Sequence, residues 1–313
     1  MIQKKNRTVL TTTSSFAKDL VDIIAPLQRA GINLICNPYG RTLIQSELNG
    51  LLEKYQPVGL LAGTEKIDFA TLEMSKGYLR VISRVGAGWD NIDREAAQEL
   101  GIIVCRTEGV LADAVAELTL GLILSALRHI CLQDTLLKQG KWQKQMGNLL
   151  KNKTIGIVGF GSIGRGVGEL AKAFGCTVIF NDAVQINVDW ADSVTLSELL
   201  ERAQIITIHA SGNTKIIDQE KLTRLGNKGV VIVNTARGNL IDEDALYQGL
   251  LDGRVGYACL DVFESEPYEG PLRKLNNVIL TPHIGSYARE ARQQMERVAV
   301  EHLLDGLREA AVI

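Results

Sequence analysis

A glycine-rich turn between two short apolar segments constrains this chain more than any other feature of its sequence. The β-branched run 154–158 (TIGIV) leads directly into the turn 159–164 (GFGSIG), and a helical pattern follows the turn. A second apolar run, Thr177–Phe180, then ends at Asn181-Asp182. Strand, G-x-G-x-x-G turn, helix, strand and acid in this order predict a dinucleotide-binding βαβ unit.

Each glycine of the turn has its own physical reason. Gly159 permits the tight turn, Gly161 lets the backbone approach a pyrophosphate, and Gly164 allows the helix to pack closely on the strand. The free N–H groups at the start of the helix, at Ser162 and Ile163, are suited to bind the anion.

The acid at the end of the second strand selects between dinucleotides. A carboxylate at Asp182 accepts hydrogen bonds from the adenosine ribose and repels the 2′-phosphate of NADP. The residues that follow it, Ala183-Val184-Gln185, include no arginine, so the sequence favours NAD. An S-adenosylmethionine site is the competing interpretation, and it fits the third glycine and Asp182 less well.

Strand and helix patterns alternate along most of the chain. Helical patterns include Ile163–Phe174, Leu196–Ala203, Glu243–Asp252 and Asp113–Leu137, the last being one helix or two in succession. The predicted strands are short, β-branched and bounded by Gly, Asn or Asp: Thr8–Leu10, Ile32–Cys36, Gly59–Ala62, Val81–Arg84, Ile102–Cys105, Thr154–Val158, Thr177–Phe180, Ile205–Ile208, Val230–Val233, Tyr257–Leu260 and Val278–Leu280. This alternation predicts parallel sheets covered by helices on both faces. The 313 residues correspond to about two domains of roughly 150 residues.

Composition excludes several classes of function. The net charge of -2 gives no general attraction to nucleic acid. Five widely spaced cysteines without a C-x-x-C pair favour a reducing compartment over a disulfide framework, and they predict no metal site. The first residues lack the apolar segment of a secretory signal, and the apolar stretch 118–127 is too short to span a bilayer. A cytoplasmic protein that does not bind membranes is therefore expected.

Four further motifs follow predicted strands, at the edge where doubly wound sheets bind ligands. They are SRVGAGWD at 83–90, NTARG at 234–238, LDVFESEP at 260–267 and TPHIG at 281–285. Taken with the glycine-rich turn, in this order and at this spacing, they resemble the D-isomer-specific 2-hydroxyacid dehydrogenases. Within that family the chain is most similar to 3-phosphoglycerate dehydrogenases and to hydroxypyruvate and glyoxylate reductases.

The resemblance implies hydride transfer between NAD and a small 2-hydroxy or 2-oxo acid. Arg237 corresponds to the arginine that grips the substrate carboxylate and polarises its carbonyl. His283 corresponds to the acid/base that exchanges a proton with the carbonyl oxygen. Glu266 corresponds to the acidic partner that keeps the imidazolium available near neutral pH. Arg237, Glu266 and His283 are thus the expected catalytic residues.

The same resemblance implies which residues bind cofactor and substrate. Substrate is expected at the glycine-rich loop of Ala87 and Gly88, whose N–H groups form a small nest for a carboxylate, and at Arg84 and Arg237. Arg84 and Lys66 are also candidates for binding the phosphate of a phosphorylated substrate. The expected cofactor residues are Gly159, Gly161, Ser162, Ile163, Gly164, Asp182, His209, Ala210, Thr235, Ala236, Asp261, Gly285 and Ser286.

The expected architecture is α/β, with two doubly wound parallel-sheet domains of Rossmann or flavodoxin-like type and a cleft between them. Residues 102–284 form the NAD-binding domain, and residues 1–101 with 285–313 form the substrate domain. The resemblance also implies a homodimer, to which the apolar segment Ala112–Leu137 is a candidate contributor. An NAD-sensing binding protein of the corepressor kind is the alternative function. The sequence does not identify the acid or the direction of the reaction.

Overall fold

The computed structural model describes residues 7–17, 21–212, 214–225 and 229–313. The chain divides into two compact units, Met1–Leu111 with Ala288–Ile313, and Ala112–Tyr287. Each unit contains one parallel sheet with interleaved helices. The predicted α/β class with two doubly wound domains is confirmed.

The first unit is built on a five-stranded sheet of order β2-β1-β3-β4-β5. The chain leaves β1 for β2 on one side and returns to β3 on the other, so the strand order reverses between β1 and β3. Doubly wound sheets bind ligands outside the carboxyl ends of the strands at such a reversal. The strands are β1 (Thr8–Thr11), β2 (Asn33–Cys36), β3 (Gly59–Ala62), β4 (Val81–Arg84) and β5 (Ile103–Arg106). The helices between them are α1 (Ala25–Arg29), α2 (Gln45–Tyr55), α3 (Phe69–Met74) and α4 (Arg94–Glu99), with a 3-10 helix at Val21–Ile23.

The second unit has a seven-stranded sheet of order β12-β11-β10-β9-β6-β7-β8, which reverses between β6 and β9. Strands β9 and β10 lie in the middle of this sheet and are buried throughout. The strands are β6 (Thr154–Val158), β7 (Thr177–Asn181), β8 (Asp192–Ser193), β9 (Ile205–Ile208), β10 (Val230–Asn234), β11 (Val255–Leu260) and β12 (Val278–Leu280). The helices are α5 (Ala112–Leu127), α6 (Ile130–Lys138), α7 (Ser162–Ala173), α8 (Leu196–Arg202), α9 (Gln219–Arg224) and α10 (Glu243–Leu251), with 3-10 helices at Gly238–Leu240 and Pro271–Lys274.

The last helix, α11 (Arg289–Glu309), returns to the first unit. Ser83 of β4 donates its hydroxyl to the carbonyl of Ala299 at 2.8 Å. A Cβ at Gly306 would lie 2.8 Å from Val81, so the small residue lets the helix approach the sheet closely. These contacts join α11 to the sheet of the first unit.

The limits of the units differ from the expected domain limits. The sequence places Ile102–Cys105 in the second domain, whereas β5 pairs with β4 in the register Val81↔Ile103 to Arg84↔Arg106. The chain therefore passes to the second unit at Ala112 and returns at Ala288. The sequence pattern of a strand does not show which strand it pairs with. The pattern of 102–105 therefore could not assign β5 to one of the two domains.

The apolar segment after β5 is two helices. It breaks at His129, whose φ of 52° is left-handed, and α6 then departs from α5 by 63°. Helix α5 buries residues such as Ile123 and Ala126, whereas α6 buries none. No single helix of the described ranges is long and apolar enough to cross a membrane, although α5 and α6 together meet that test by length and composition.

Candidate active site

The TARG turn after β10 is held by one buried side chain. Asn234 is 1% exposed and its amide bonds both ends of the turn. Its Nδ2 donates to the carbonyl of Arg237 at 2.8 Å, and its Oδ1 accepts from the N–H of Ala236 at 3.0 Å. The Arg237 side chain is partly buried and donates Nη1 to the carbonyl of Ala236 at 2.7 Å. The guanidinium is thus carried on a short, internally bonded turn.

Glu266 and His283 form the titratable pair of this unit. Nδ1 of His283 lies 2.8 Å from Oε2 of Glu266, while Oε1 accepts from the N–H of Phe263 at 3.2 Å. Burial alone would raise the pKa of Glu266, but the hydrogen bond and charge of His283, the Phe263 N–H and the charge of Arg237 together hold that pKa below its usual value. Glu266 is therefore the carboxylate of the pair, and it leaves Nε2 of His283 as the ring nitrogen available for proton exchange.

Asp261 fixes the loop that carries His283. Its carboxylate is 1% exposed and accepts three hydrogen bonds: from the Thr281 hydroxyl at 2.6 Å, from the Ile284 N–H at 2.8 Å and from the Gly285 N–H at 2.8 Å. His283 itself has a left-handed φ of 55°. A non-glycine residue keeps that conformation only when its surroundings determine it, and Asp261 bonds the Thr281 hydroxyl before His283 and two backbone N–H groups after it.

One glycine brings the arginine turn and the carboxylate loop together. A Cβ at Gly238 would overlap the backbone of Phe263 and Glu264. Backbone atoms cannot move aside as a flexible side chain can, so only glycine permits this approach. Arg237 precedes this point and Glu266 lies just beyond it, which explains why the guanidinium charge acts on the Glu266 carboxylate.

The glycine-rich turn after β6 has the geometry of an anion cradle. Gly159 has a φ of 89°, and a Cβ there would lie 2.5 Å from the N atom of Ala210. A Cβ at Gly164 would overlap the carbonyl oxygen of Gly159, whereas a Cβ at Gly161 would meet nothing within 4 Å. Gly161 is also the N-cap of α7 and offers no side-chain acceptor. The N–H groups of the first turn of α7 therefore remain for a phosphate, and a pyrophosphate fits this site.

Asp182 both shapes that turn and ends the neighbouring strand. Its Oδ2 accepts from the N–H of Phe160 at 2.6 Å and its Oδ1 from the N–H of Val184 at 2.9 Å. Each carboxylate oxygen has a second lone pair, which is available to ribose hydroxyls. This arrangement agrees with the expected preference for NAD.

His209 lies in a chain of hydroxyl groups beside this turn. Thr119 donates to the carbonyl of Val115 at 2.7 Å, so Thr235 is the donor in their 3.0 Å contact. Thr235 then accepts from Nδ1 of His209 at 3.5 Å, and Thr207 donates to Nε2 at 2.8 Å. Removal of the ring from water lowers the pKa of His209 to about 3. His209 is thus a neutral, hydrogen-bonded ring and not a second proton donor.

In the first unit, the predicted substrate loop follows β4. Gly86 has a φ of 151°, and the guanidinium carbon of Arg84 lies 2.8 Å from where its Cβ would be. Nη1 of Arg84 donates to the carbonyl of Val85. The Arg84 guanidinium is thus folded against the loop of Ala87 and Gly88, where it supports the backbone. Contact of these three residues with substrate stays a prediction.

A buried acid lies at the reversal point of the first sheet. Glu65 follows β3 and is 3% exposed. Its Oε1 accepts from the hydroxyl of Thr12 and from the N–H of Gly63, the latter at 3.0 Å. Burial raises the pKa of Glu65, and the hydrogen bonds and the Arg84 charge only partly oppose this.

Glu65 gives the stability of the protein a defined pH dependence. Because its pKa is raised in the folded state, the unfolded chain loses this proton first, and stability falls as pH rises above the usual carboxyl range. Glu65→Gln keeps the acceptor and cannot ionise. We expect its Tm to exceed the wild-type Tm by about 2–4 °C at pH 8 and to equal it near pH 4, measured by calorimetry. Glu73→Gln, at an exposed position of α3, is the control without effect. A lower Tm of Glu65→Gln at both pH values would contradict this account.

The structure brings many of the predicted residues together within the second unit. Arg237, Glu266 and His283 lie on the loops after β10, β11 and β12, while Ser162, Ile163 and Asp182 surround the glycine-rich turn. Gly285 is buried beside Asp261, and Ser286 follows it in a turn. The role of Asp261 seen here is to hold the His283 loop, and its predicted contact with the cofactor remains a prediction.

The sequence did not predict the buried polar residues that hydrogen-bond next to the predicted site residues. Asn234 was inside a recognised motif but without a role, and Thr119 and Glu65 stood in no motif. The one signal for Asn234 is an amide directly before a turn, which typically bonds nearby backbone. Among the described residues, no group of three or more His, Cys, Asp or Glu could hold a metal ion.

Comparison with known proteins assigns the chain. Residues 120–285 match the family model described as the NAD binding domain of D-isomer specific 2-hydroxyacid dehydrogenase. A hydroxypyruvate reductase of Thermotoga maritima is 36% identical over 306 residues, covering 93% of this chain and 99% of that protein. The chain belongs to the D-isomer-specific 2-hydroxyacid dehydrogenases.

Further relatives of this dehydrogenase agree with the assignment. A D-3-phosphoglycerate dehydrogenase of Methanocaldococcus jannaschii is 41% identical over 274 residues, which are 82% of this chain and 51% of that protein. A crystal structure of a glyoxylate reductase from Paecilomyes thermophila has a TM-score of 0.86 at 29% identity and covers 97% of this chain and 96% of that one. The protein is thus an NAD-dependent oxidoreductase of small hydroxy or oxo acids, and the alternative of a non-enzymatic NAD sensor is not favoured.

Proposed function

We propose that this dehydrogenase reduces a short 2-oxo acid to the D-2-hydroxy acid with NADH, and catalyses the reverse reaction with NAD. The observation that carries the proposal is the pairing of Glu266 with His283 at 2.8 Å beside the turn of Arg237. Such a set combines a proton donor, a carboxylate that hydrogen-bonds it and a cation for the substrate.

Each residue has one role in the proposed reaction. Arg237 binds the carboxylate of the acid and polarises the adjacent carbonyl. His283 donates a proton from Nε2 to the carbonyl oxygen, and Glu266 stabilises the imidazolium before the transfer. The nicotinamide supplies the hydride to the carbonyl carbon when the cofactor is bound. The nest at Ala87 and Gly88 holds the substrate carboxylate.

For the substrate we propose hydroxypyruvate or glyoxylate, with 3-phosphohydroxypyruvate as the second candidate. The similarity to a reductase named for hydroxypyruvate over nearly its whole length supports the first. Of the two cations expected for a phosphate, Arg84 folds against Gly86 and Lys66 lies 3.5 Å from the carboxylate of Asp68. The 41% identity to a phosphoglycerate dehydrogenase supports the second.

The test is NADH oxidation with a panel of 2-oxo acids: hydroxypyruvate, glyoxylate, pyruvate and 3-phosphohydroxypyruvate. The expected result is a kcat/KM for hydroxypyruvate or glyoxylate at least about tenfold above that for pyruvate, a difference of about 1.4 kcal/mol in transition-state binding. NADH binding without turnover of any of these acids would contradict the proposed function.

We also propose a homodimer that works in the cytoplasm. All five cysteines are free, and Cys36 and Cys131 are exposed, which suits a reducing compartment.

An apolar surface, called here the arm surface, covers α6 and the irregular segment 139–149. Its exposed residues are Ile130, Leu137, Trp142, Met146 and Leu149. Five exposed apolar side chains within 20 residues of sequence favour a protein partner.

If the arm surface is the dimer interface, mutation of its residues should lower the molar mass of the protein in solution. Trp142 is 81% and Met146 92% exposed, so Trp142→Ser with Met146→Ser removes apolar area without disturbing a core. We expect light scattering to give about twice 34.2 kDa for the wild type and 34.2 kDa for the double variant. Phe69→Ser, at an exposed phenylalanine of α3, is the control that stays dimeric. A monomeric wild type, or an unchanged mass of the double variant, would contradict the proposed interface.

A further inference from the structure

The loop 85–89, between β4 and α4, is anchored through its backbone carbonyls. The carbonyl of Gly86 accepts from the N–H of Thr107 at 3.1 Å. The carbonyl of Ala87 accepts from Nη1 of Arg106 at 3.3 Å. Arg106 is the last residue of β5, the neighbouring strand of the same sheet, and Thr107 directly follows it. Two successive peptide groups of the loop are therefore bonded to one short segment.

Fixing these carbonyls also fixes two N–H groups. A trans peptide is planar, with its C=O and the following N–H pointing in opposite directions. The bond to the Gly86 carbonyl therefore sets the direction of the Ala87 N–H, and the bond to the Ala87 carbonyl sets that of the Gly88 N–H. These are the two N–H groups of the predicted carboxylate nest. Each N–H points away from the group that bonds the preceding carbonyl, which is the Thr107 N–H for Ala87 and the Arg106 guanidinium for Gly88.

Arg106 holds the loop at a second place as well. Its guanidinium carbon lies 4.2 Å from the ring centroid of Trp89, next to Gly88 in the chain. Its Nη2 pairs with Glu108 at 2.6 Å. The planar guanidinium thus contacts a carbonyl, a ring and a carboxylate at once, and the compact ammonium of lysine cannot reproduce that combination.

A second arginine provides the natural comparison. The guanidinium carbon of Arg94 lies 4.4 Å from the centroid of the same Trp89 ring. Arg94 belongs to α4, whereas the side chain that donates to the Ala87 carbonyl is that of Arg106. The two arginines share the ring contact and differ in the bond to the nest peptide.

We propose that Arg106 is a positioning residue for substrate binding: by bonding the Ala87 carbonyl it aims the Gly88 N–H at the carboxylate of the 2-oxo acid. The inference rests on the proposed function in so far as the nest is taken to receive that carboxylate. Arg106 does not touch the substrate in this account. Its contribution is the orientation of a donor that does.

The experiment compares Arg106→Met with Arg94→Met. Both variants lose the contact with Trp89, and only the first frees the nest peptide. For the acid that the wild type reduces best, we expect Arg106→Met to raise KM about 10–30-fold with kcat within about threefold, the pattern for lost ground-state binding. We expect Arg94→Met to change KM less than about threefold. KM for NADH should stay constant in both, and Arg106→Lys should fall between Arg106→Met and the wild type.

Binding of oxamate to the NADH-loaded enzyme, followed by NADH fluorescence, gives a readout that needs no turnover. Oxamate carries the carboxylate and is not reduced, so its Kd should rise in Arg106→Met by the same factor as KM. If the wild type has no reductase activity but oxamate binding weakens in Arg106→Met alone, the proposed function fails and the positioning role stands. An equal Kd in wild type and Arg106→Met, equal losses in both methionine variants, or no oxamate binding by the wild type would overturn it.

Discussion

His283→Ala is expected to lower kcat for 2-oxo acid reduction by about 10³-fold, within the range of lost general acid catalysis. The imidazole is the proton donor of the proposed reaction, and it is held 2.8 Å from Glu266 on a loop that Asp261 fixes by three hydrogen bonds. Alanine removes the donor and leaves the three hydrogen bonds of Asp261 in place. The measurement is steady-state NADH oxidation at saturating acid, with NADH affinity measured separately by fluorescence and expected to change less than about threefold.

Glu266→Gln is the graded comparison for that variant. The amide still hydrogen-bonds the imidazole, but it lacks the negative charge that favours the imidazolium. We expect a smaller loss of kcat than in His283→Ala, about 10²-fold, because the proton donor itself is retained. A His283→Ala enzyme with more than about a tenth of wild-type kcat would show that the proton comes from elsewhere.

The sequence was most informative where a motif and its strand context coincide. The turn 159–164 between β6 and α7 could be interpreted residue by residue, because each of its three glycines has a local physical reason in a dinucleotide-binding turn. Arg237, Glu266 and His283 were expected from the resemblance of their motifs to those of the family, and the structure places all three on loops that follow parallel strands of one sheet. Strand β8 escaped prediction, since Asp192–Ser193 are two polar residues without an apolar pattern.

What the sequence could not supply is the set of tertiary neighbours. Asn234 is recognisable as a polar residue after a strand, but only the folded turn reveals that its amide bonds both Ala236 and Arg237. The sequence predicts Arg84 as a cation that binds substrate, whereas in the structure its guanidinium is folded against Gly86. Buried Glu65 likewise accepts its hydrogen bonds from Thr12, which is distant in sequence, and from Gly63, which belongs to no motif.

Gly238→Ala is expected to reduce kcat/KM by about 10²-fold, although it adds one methyl group and touches no ligand. Its Cβ would overlap the backbone of Phe263 and Glu264, so the turn after β10 and the loop after β11 must move apart. A misplacement of about 1 Å between catalytic groups costs on the order of 10²-fold in rate. The separation moves Arg237 away from Glu266, and overpacking of this kind also destabilises a fold by about 1–3 kcal/mol.

The measurements for Gly238→Ala are kcat/KM with the preferred acid and Tm by calorimetry, on protein that is folded by circular dichroism. Gly121→Ala is the matched control, because a Cβ at Gly121 in α5 meets nothing within 4 Å. This variant should leave kcat/KM unchanged and should not lower Tm, since alanine is the better residue in a helix interior. If the close approach of the two backbones sets the distance between Arg237 and Glu266, kcat/KM must fall well below that of the control even at temperatures where both variants are fully folded. A kcat/KM for Gly238→Ala within about twofold of the control would mean that the two loops separate without moving the groups that carry the chemistry.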